Sequence, residues 1–403
     1  MEKERLKTKA NGFSLIGKFM KPKKKGKEAI ELNLVSKTSD YTFNRMNLGI
    51  YCGERYGTVF TTLMGGYFPT SRDSIIYCKG KDENGNTDWS KNIQVAWEDR
   101  MKESILKEVS NFNFYTCALE LDTEGKLVYK NFLSAYDMIE YVNEHLNDGD
   151  VISISGNIRY DRYNGKTTRK LEPKVIKKSF VEKKDDFSEN KYFYAHFNQT
   201  ILFNKDSIGE YNKDTREIEI NAYVPQYFGK DVKETKALPF NFVYQVKEGS
   251  DEGKLRKLIR LLFPTKKGYS YGTYNGEIVE SGSTVEATVE DLPEEFQLLI
   301  KYNALTEEEA LATCATSSGN EKKMIIKNPK PLKDKDGKVT GFDVVEDMYD
   351  EDIIDFDFLS NNEEDDDLKE EKENDDAVEK AEKSSDESLD TFLDDILDDD
   401  VQF

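Results

Sequence analysis

Between Ile158 and Lys178 the chain carries eight basic and two acidic residues, with Tyr160 and Tyr163 interleaved among Arg159, Arg162, Lys166, Arg169 and Lys170. A second cationic run, Lys21, Lys23, Lys24, Lys25 and Lys27, lies early in the chain, and a sparser third group joins Arg45, Tyr51, Arg55 and Tyr56. Guanidinium and ammonium groups meet phosphate oxygens, and tyrosine rings stack on bases at about 1–3 kcal/mol per base. Cations interleaved with rings are therefore the chemistry of one nucleic-acid strand, held whatever its sequence. A charge run is also what a solvated strand face looks like, and a tyrosine in a strand is also core filler. That plainer account weighs most at Arg45 and Tyr56.

Other chemistries find less material. His145 falls in a helical stretch and His196 in a strand-like one, without a Ser or Cys partner at a suggestive spacing, so both read as structural. Paired carboxylates are concentrated near the end of the chain, and neither GxxxxGK[ST] nor GxGxxG occurs. Cys52, Cys78, Cys117 and Cys314 stand far apart, which suggests neither a disulfide framework nor a zinc cage. The expectation is a protein that is not an enzyme, with no catalytic residue, metal, cofactor or small-molecule substrate. The start of the chain, MEKERLKTKA, lacks the apolar stretch of a signal peptide, and no run of about 18 apolar residues is present to cross a bilayer. A soluble cytoplasmic protein without membrane contact is expected.

The clearest local element is the one that would position the first cluster. Asp150 to Tyr163 alternates with Ile152, Ile154, Ile158 and Tyr160 on one side, Asn164-Gly165 favours a type I′ turn, and Thr167 to Lys178 returns. A two-residue turn sets Tyr160 opposite Arg169 and Ile158 opposite Leu171, with Arg159, Tyr163, Lys166 and Lys170 on the other face. Before it, Ser134 to Leu146 has helical spacing and a possible capping pair in Ser134 and Asp137. Earlier segments read as strands: Phe13 to Met20, Lys27 to Ser36, Phe43 to Cys52, Gly57 to Met64, Ser74 to Lys79 and Asn92 to Trp97. A first helix is expected over Asp99 to Val109. Cys52 to Trp97 reads either as an insertion or as part of a barrel.

The pattern partly repeats after a charged linker at 181–190. Strands are expected over Tyr192 to Phe203, Glu217 to Phe228 and Leu238 to Val246, then a helix over Glu252 to Leu262 whose basic face reads as solvated. Further helices near 293–302 and 306–315 and a strand near Lys323 to Lys327 follow. Tyr269 to Gly276 is either a stacking loop or a flexible surface hairpin.

Charge divides the chain sharply. Of the net −21, the segment from Asp343 to Phe403 accounts for −24, from 28 acidic and 4 basic residues, leaving +3 for the rest. Low hydrophobicity and like charge predict disorder from Asp343 onward. Leu389, Phe392, Leu393, Ile396 and Leu397 nevertheless recur at helical spacing among aspartates, before Asp398, Asp399, Asp400, Val401, Gln402 and Phe403. Such a stripe can fold against a partner.

In an OB barrel the helix falls between strands three and four, and the loops joining strands one to two and four to five flank the nucleic-acid groove. Both such loops here are basic, and the helix from Ser134 stands before the Asn164-Gly165 hairpin. At these residues, and at the Asp398 to Phe403 tip, the chain resembles the single-stranded DNA-binding proteins of bacteria and their phages, except that Gln402 stands where proline is usual. The resemblance implies sequence-tolerant binding of single-stranded DNA in replication, recombination and repair, in a phage's host cytoplasm if phage-encoded. It also implies a tail that recruits replication or recombination partners and competes with DNA for the groove.

The expected architecture is mainly β with a few helices: a basic arm at 1–10, an OB-like unit at 11–180, the linker at 181–190, a second OB-like unit at 191–342, and an acidic tail at 343–403. Two rival accounts use the same elements: an RNA-binding or strand-annealing protein, and a structural or virion-type adaptor whose β-domains contact protein.

Overall fold

The computed structural model describes residues 5–9, 11–22, 28–69, 74–163, 165–179, 192–229, 232–281 and 321–360. Strands dominate it, as the alternating patterns require. In β1 (Gly12–Met20), Phe13, Leu15 and Phe19 are buried while Ser14, Ile16 and Lys18 stay partly open. Strands β2 (Ile30–Val35), β3 (Thr42–Tyr51) and β4 (Thr58–Tyr67) follow as an antiparallel meander, and β3 returns to the end of β1 with Tyr51 opposite Lys18.

The stretch from Cys52 to Trp97 divides in two. Strand β4 belongs to the body, while β5 (Ile75–Lys81) and β6 (Thr87–Ala96) pair as a two-stranded ribbon, which meets Val109 through an isolated bridge at Gly80. The helix expected over Asp99 to Val109 is shorter, α1 (Glu103–Glu108), preceded by a 3-10 turn at Trp97–Asp99. Next come β7 (Tyr115–Leu121), β8 (Leu127–Phe132), α2 (Ala135–His145), β9 (Val151–Tyr163) and β10 (Lys166–Lys178). Ser134 caps α2 by accepting from the Tyr136 N–H at 3.1 Å. Asp137 does not complete a capping pair, because its carboxylate accepts from Arg100 Nε and Nη2, each at 2.8 Å. Gly65 marks where α2 presses on β4: a Cβ there would lie 2.6 Å from that of Ala135.

The β9–β10 hairpin has the expected register, Tyr160 opposite Arg169 and Ile158 opposite Leu171. Strand β9 is antiparallel to β1, and the end of β10 runs parallel to β7. Strand β10 also passes beside β4, so β1–β3–β4 and β1–β9–β10 curl toward one another without a ladder closing the seam.

The second half closes completely. Its elements are β11 (Tyr194–Phe203), β12 (Ile208–Asn212), β13 (Glu217–Phe228), β14 (Glu234–Gln245), α3 (Glu252–Leu262), β15 (Tyr269–Ser281) and β16 (Glu321–Pro329). Hydrogen bonds run round the ring β11–β13–β14–β16–β15 and back to β11. Strands β14 and β16 are parallel, and α3 lies between the third and fourth barrel strands, the OB order. Tyr269 to Gly276 is therefore neither loop nor surface hairpin. It is barrel strand β15, with Tyr269, Tyr271 and Tyr274 buried and the Tyr274 hydroxyl donating to the Leu262 carbonyl at 2.8 Å.

The two halves share one sheet, because the first part of β1 also pairs with β11, Ser14 opposite His196 and Ile16 opposite Tyr194. One hydrophobic cluster runs through both, from Leu15 and Ile152 to Phe242 and Met324. The folded body also extends past Phe342, where the acidic tail was expected to begin. After β17 (Pro331–Lys333) and β18 (Val339–Phe342), β19 (Val344–Tyr349) pairs with β15, and α4 (Phe356–Ser360) follows. The acids there serve the fold. Asp347 accepts from the backbone N–H groups of Lys266, Lys267 and Gly268, and Asp343 accepts from Lys9 and Thr273. Cys52, Cys78 and Cys117 are buried free thiols. No helix among the described residues is long and apolar enough to cross a membrane. The expected linker, the helices at 293–315 and the tail tip, with every partner-binding residue from Leu389 to Phe403, lie outside the described residues.

Candidate nucleic-acid interface

Paired residues in a sheet share a face, so register alone assembles the outward surface across the two halves. One cross-strand row holds Glu277 of β15, His196 of β11, Ser14 of β1 and Ser155 of β9. The next holds Tyr194, Ile16 and Ser153, and a third sets Lys18 opposite Tyr51. Between the bulkier groups the face is made of small polar side chains.

Rings lie on this face. Tyr194 and His196 stack with centroids 4.6 Å apart and planes at 17°, and the Tyr194 hydroxyl is 3.2 Å from Ser14 Oγ. Phe60 of β4 sits opposite Gly49, and its ring lies where a Cβ at Gly49 would be 3.1 Å away. Glycine is what lets that ring lie against the strand, beside Tyr51. Partial cover pushes His196 below the usual imidazole value; Glu277 opposes the shift, and Arg55 and Lys327 add to it. The ring is thus neutral near pH 7. Glu277 itself is held by two cations, Arg55 at 2.7 Å and Lys327 at 3.0 Å.

The hairpin residues divide by face. Arg159, Lys166 and Lys170 point outward, with Lys166 exposed near the turn. Their charge is partly matched: Arg159 meets Asp161 at 3.0 Å and Glu172 at 3.8 Å, and Lys170 meets Asp161 at 3.2 Å. The hairpin face is therefore less basic than a count of its cations suggests.

The others turn in. Tyr160 is fully buried; its ring packs edge-on to Phe240 and its hydroxyl donates to Gln199 Oε1 at 3.0 Å. It cannot stack on a base, contrary to the expectation, because the apolar side of the hairpin faces the second barrel. Arg169 is buried against Glu280. Arg162 lies under α4, where Nη2 donates to the Leu359 carbonyl at 2.6 Å and two further guanidinium nitrogens are buried without a hydrogen-bond partner among the described residues. Tyr163 is in β9 opposite Lys166, and its side chain lies outside the described residues.

In the third cluster Arg45 pairs with Glu31 across β2 and β3, and Tyr51 belongs to the outward face. Arg55 is exposed and paired, and Tyr56 is buried, its ring edge-on to His196 at 6.3 Å. Tyr56 is thus withdrawn from stacking. Lys21 is exposed, its backbone N–H bound to Asp148, while Lys23, Lys24, Lys25 and Lys27 lie outside the described residues.

Sequence reasoning read His196 as structural and passed over Tyr194 and Phe60. The signal existed for the first two: in Tyr192 to Phe203 they alternate with the buried Ala195 and Phe197. Phe60 had no such signal, since an aromatic residue inside a strand reads as core.

The sequence model of the YorF family matches residues 78–297, more than half of the chain. No curated protein matches it. Among solved structures, a deletion mutant of the single-stranded DNA binding protein from Thermus aquaticus aligns over 67% of this chain and 87% of that one, at 11% identity and a TM-score of 0.28. At that score the fold rests on this chain's own strand order.

Proposed function

The chain belongs to the YorF family, and we propose that it binds single-stranded DNA without catalysing a reaction on it. One observation carries the reading: the sheet shared by both halves presents a stacked Tyr194–His196 pair, the Lys18–Tyr51 pair and the Phe60 ring on a face that also carries the small Ser14, Ser153 and Ser155. Rings lying on a sheet accept base faces of any identity, and small neighbours let a strand approach. Cations border the rings, with Arg159 and Lys170 toward one end of β9 and Lys18 and Lys21 toward the other. Along the strands, Val151 to Arg159 spans roughly 26 Å, room for several nucleotides.

Binding is sequence-tolerant and weakens with salt, which suits a protein that covers and presents single strands during replication, recombination or repair. The acidic stretch beyond 360 supplies a tethered polyanion that competes with DNA, and its tip recruits partner proteins. Titrating intrinsic tyrosine fluorescence with oligo-dT, with single- and double-stranded competitors, tests the reading. Quenching by single strands alone is expected. Unchanged fluorescence would assign the face to protein contacts, and tighter binding to an RNA oligomer would assign it to RNA.

A further inference from the structure

Helix α3 carries apolar and basic side chains together on its outer surface. Leu255 and Ile259 turn into the second barrel, as the spacing requires, but Leu258 and Leu261 stay 40% and 71% exposed. One helical turn apart, they form a small apolar ridge. Lys254, Arg256, Lys257 and Arg260 surround it, all exposed. Elsewhere Arg45, Arg55, Arg100, Arg169, Lys236 and Lys323 each hold a carboxylate. None of the four cations on α3 makes an ion pair with a described residue.

A ligand for this surface must combine apolar side chains with several negative charges. The chain contains one such segment. Residues 386–403 place Leu389, Phe392, Leu393, Ile396 and Leu397 among eight carboxylates, the complement of two leucines among four cations. The path is short. The Asp347 carboxylate ties β19 to the loop that follows α3, and the described chain ends soon after, at 360. A random coil as long as the 28 residues of 361–388 has a root-mean-square reach of about 30 Å. Tethering at that length sets a local concentration in the millimolar range, so a weak seat would still be occupied.

We propose that the acidic-apolar segment 389–403 seats in cis on the outer face of α3, its leucines and Phe392 against Leu258 and Leu261 and its aspartates against Lys254, Arg256, Lys257 and Arg260. The seat is separate from the candidate interface and needs no nucleic acid. A partner recruited by the tip must first displace it from α3.

Zero-length carbodiimide cross-linking of the full chain, without nucleic acid, tests this. Cross-links from Lys254 and Lys257 to the acids of 386–400 are expected, formed within one chain and unchanged by dilution. Leu258→Ser with Leu261→Ser leaves every lysine in place at two exposed sites, and the yield should fall about ten-fold, as should Phe392→Ala with Leu393→Ala. Three results would overturn the seat: cross-links spread over all exposed lysines alike, yields indifferent to the leucines, or cross-links found only between chains. If the leucine variant instead loses affinity for oligo-dT while cross-linking is unchanged, α3 is a nucleic-acid contact and the seat is likewise ruled out. Failure of oligo-dT binding in the unmodified chain bears on the proposed function alone.

Discussion

The guanidinium of Arg169, in β10, donates to the carboxylate of Glu280, in β15, where both side chains are almost wholly buried. The same carboxylate accepts from the backbone N–H of Phe60 in β4 at 3.3 Å, and the Glu280 N–H donates to the Tyr56 carbonyl at 2.9 Å. One acidic residue of the second barrel thus bridges the two strands that the first half leaves without a ladder. Removing one partner leaves the other charged and buried, which costs about 3–5 kcal/mol. Arg169→Met and Glu280→Ala should each lower stability by that amount in urea unfolding, and Arg169→Lys should recover only part of it. A loss near zero in either single variant would show that the bridge does not hold the seam.

Tyr160 is expected to matter for folding and not for ligand. Tyr160→Phe keeps the ring against Phe240 but strips the Gln199 oxygen of its donor, a cost of about 1–3 kcal/mol. Its affinity for oligo-dT should equal that of the unmodified chain. A selective loss of affinity at unchanged stability would return Tyr160 to the interface.

The outward rings should behave in the opposite way. Tyr194→Ala and His196→Ala should each weaken oligo-dT binding by about 1–3 kcal/mol, the worth of one stacked base, and change the unfolding midpoint little. Retained affinity in both would move the binding site elsewhere on the body.

The register and face of the β9–β10 hairpin were legible because alternation and one Asn-Gly turn settle them together. The destination of its apolar side was not. Tyr160 and Arg169 are neighbours on that side, and only the second barrel, far along the chain, decides that both are buried. The OB order likewise emerges most completely in the second half, where parallel pairing of β14 with β16 is a long-range contact that no local pattern encodes. At the end of the body, acid content masked β19 and α4. Asp343 and Asp347 read as tail, yet each is committed to hydrogen bonds that order the chain.

His196 provides a pH signature. Its folded value lies below the ordinary 6.5, so between the two values the unfolded chain binds more protons. Stability should therefore fall as pH drops through about 6.5 and level off below the folded value. Nucleic acid favours the imidazolium, so oligo-dT affinity should rise over the same range. His196→Asn should flatten both profiles. Equal profiles for the two proteins would show that His196 does not titrate there.

The central claim, a cation-bordered row of rings that holds single strands, is tested most directly by the salt dependence of oligo-dT binding beside that of a duplex of the same length. Single strands lose about 0.7 in log K per log salt for each phosphate contact, so three contacts give a slope of about −2, and Arg159→Ala with Lys170→Ala should flatten it. The duplex should bind far more weakly at every salt concentration. A slope near zero, or equal affinity for the two forms, would contradict the claim.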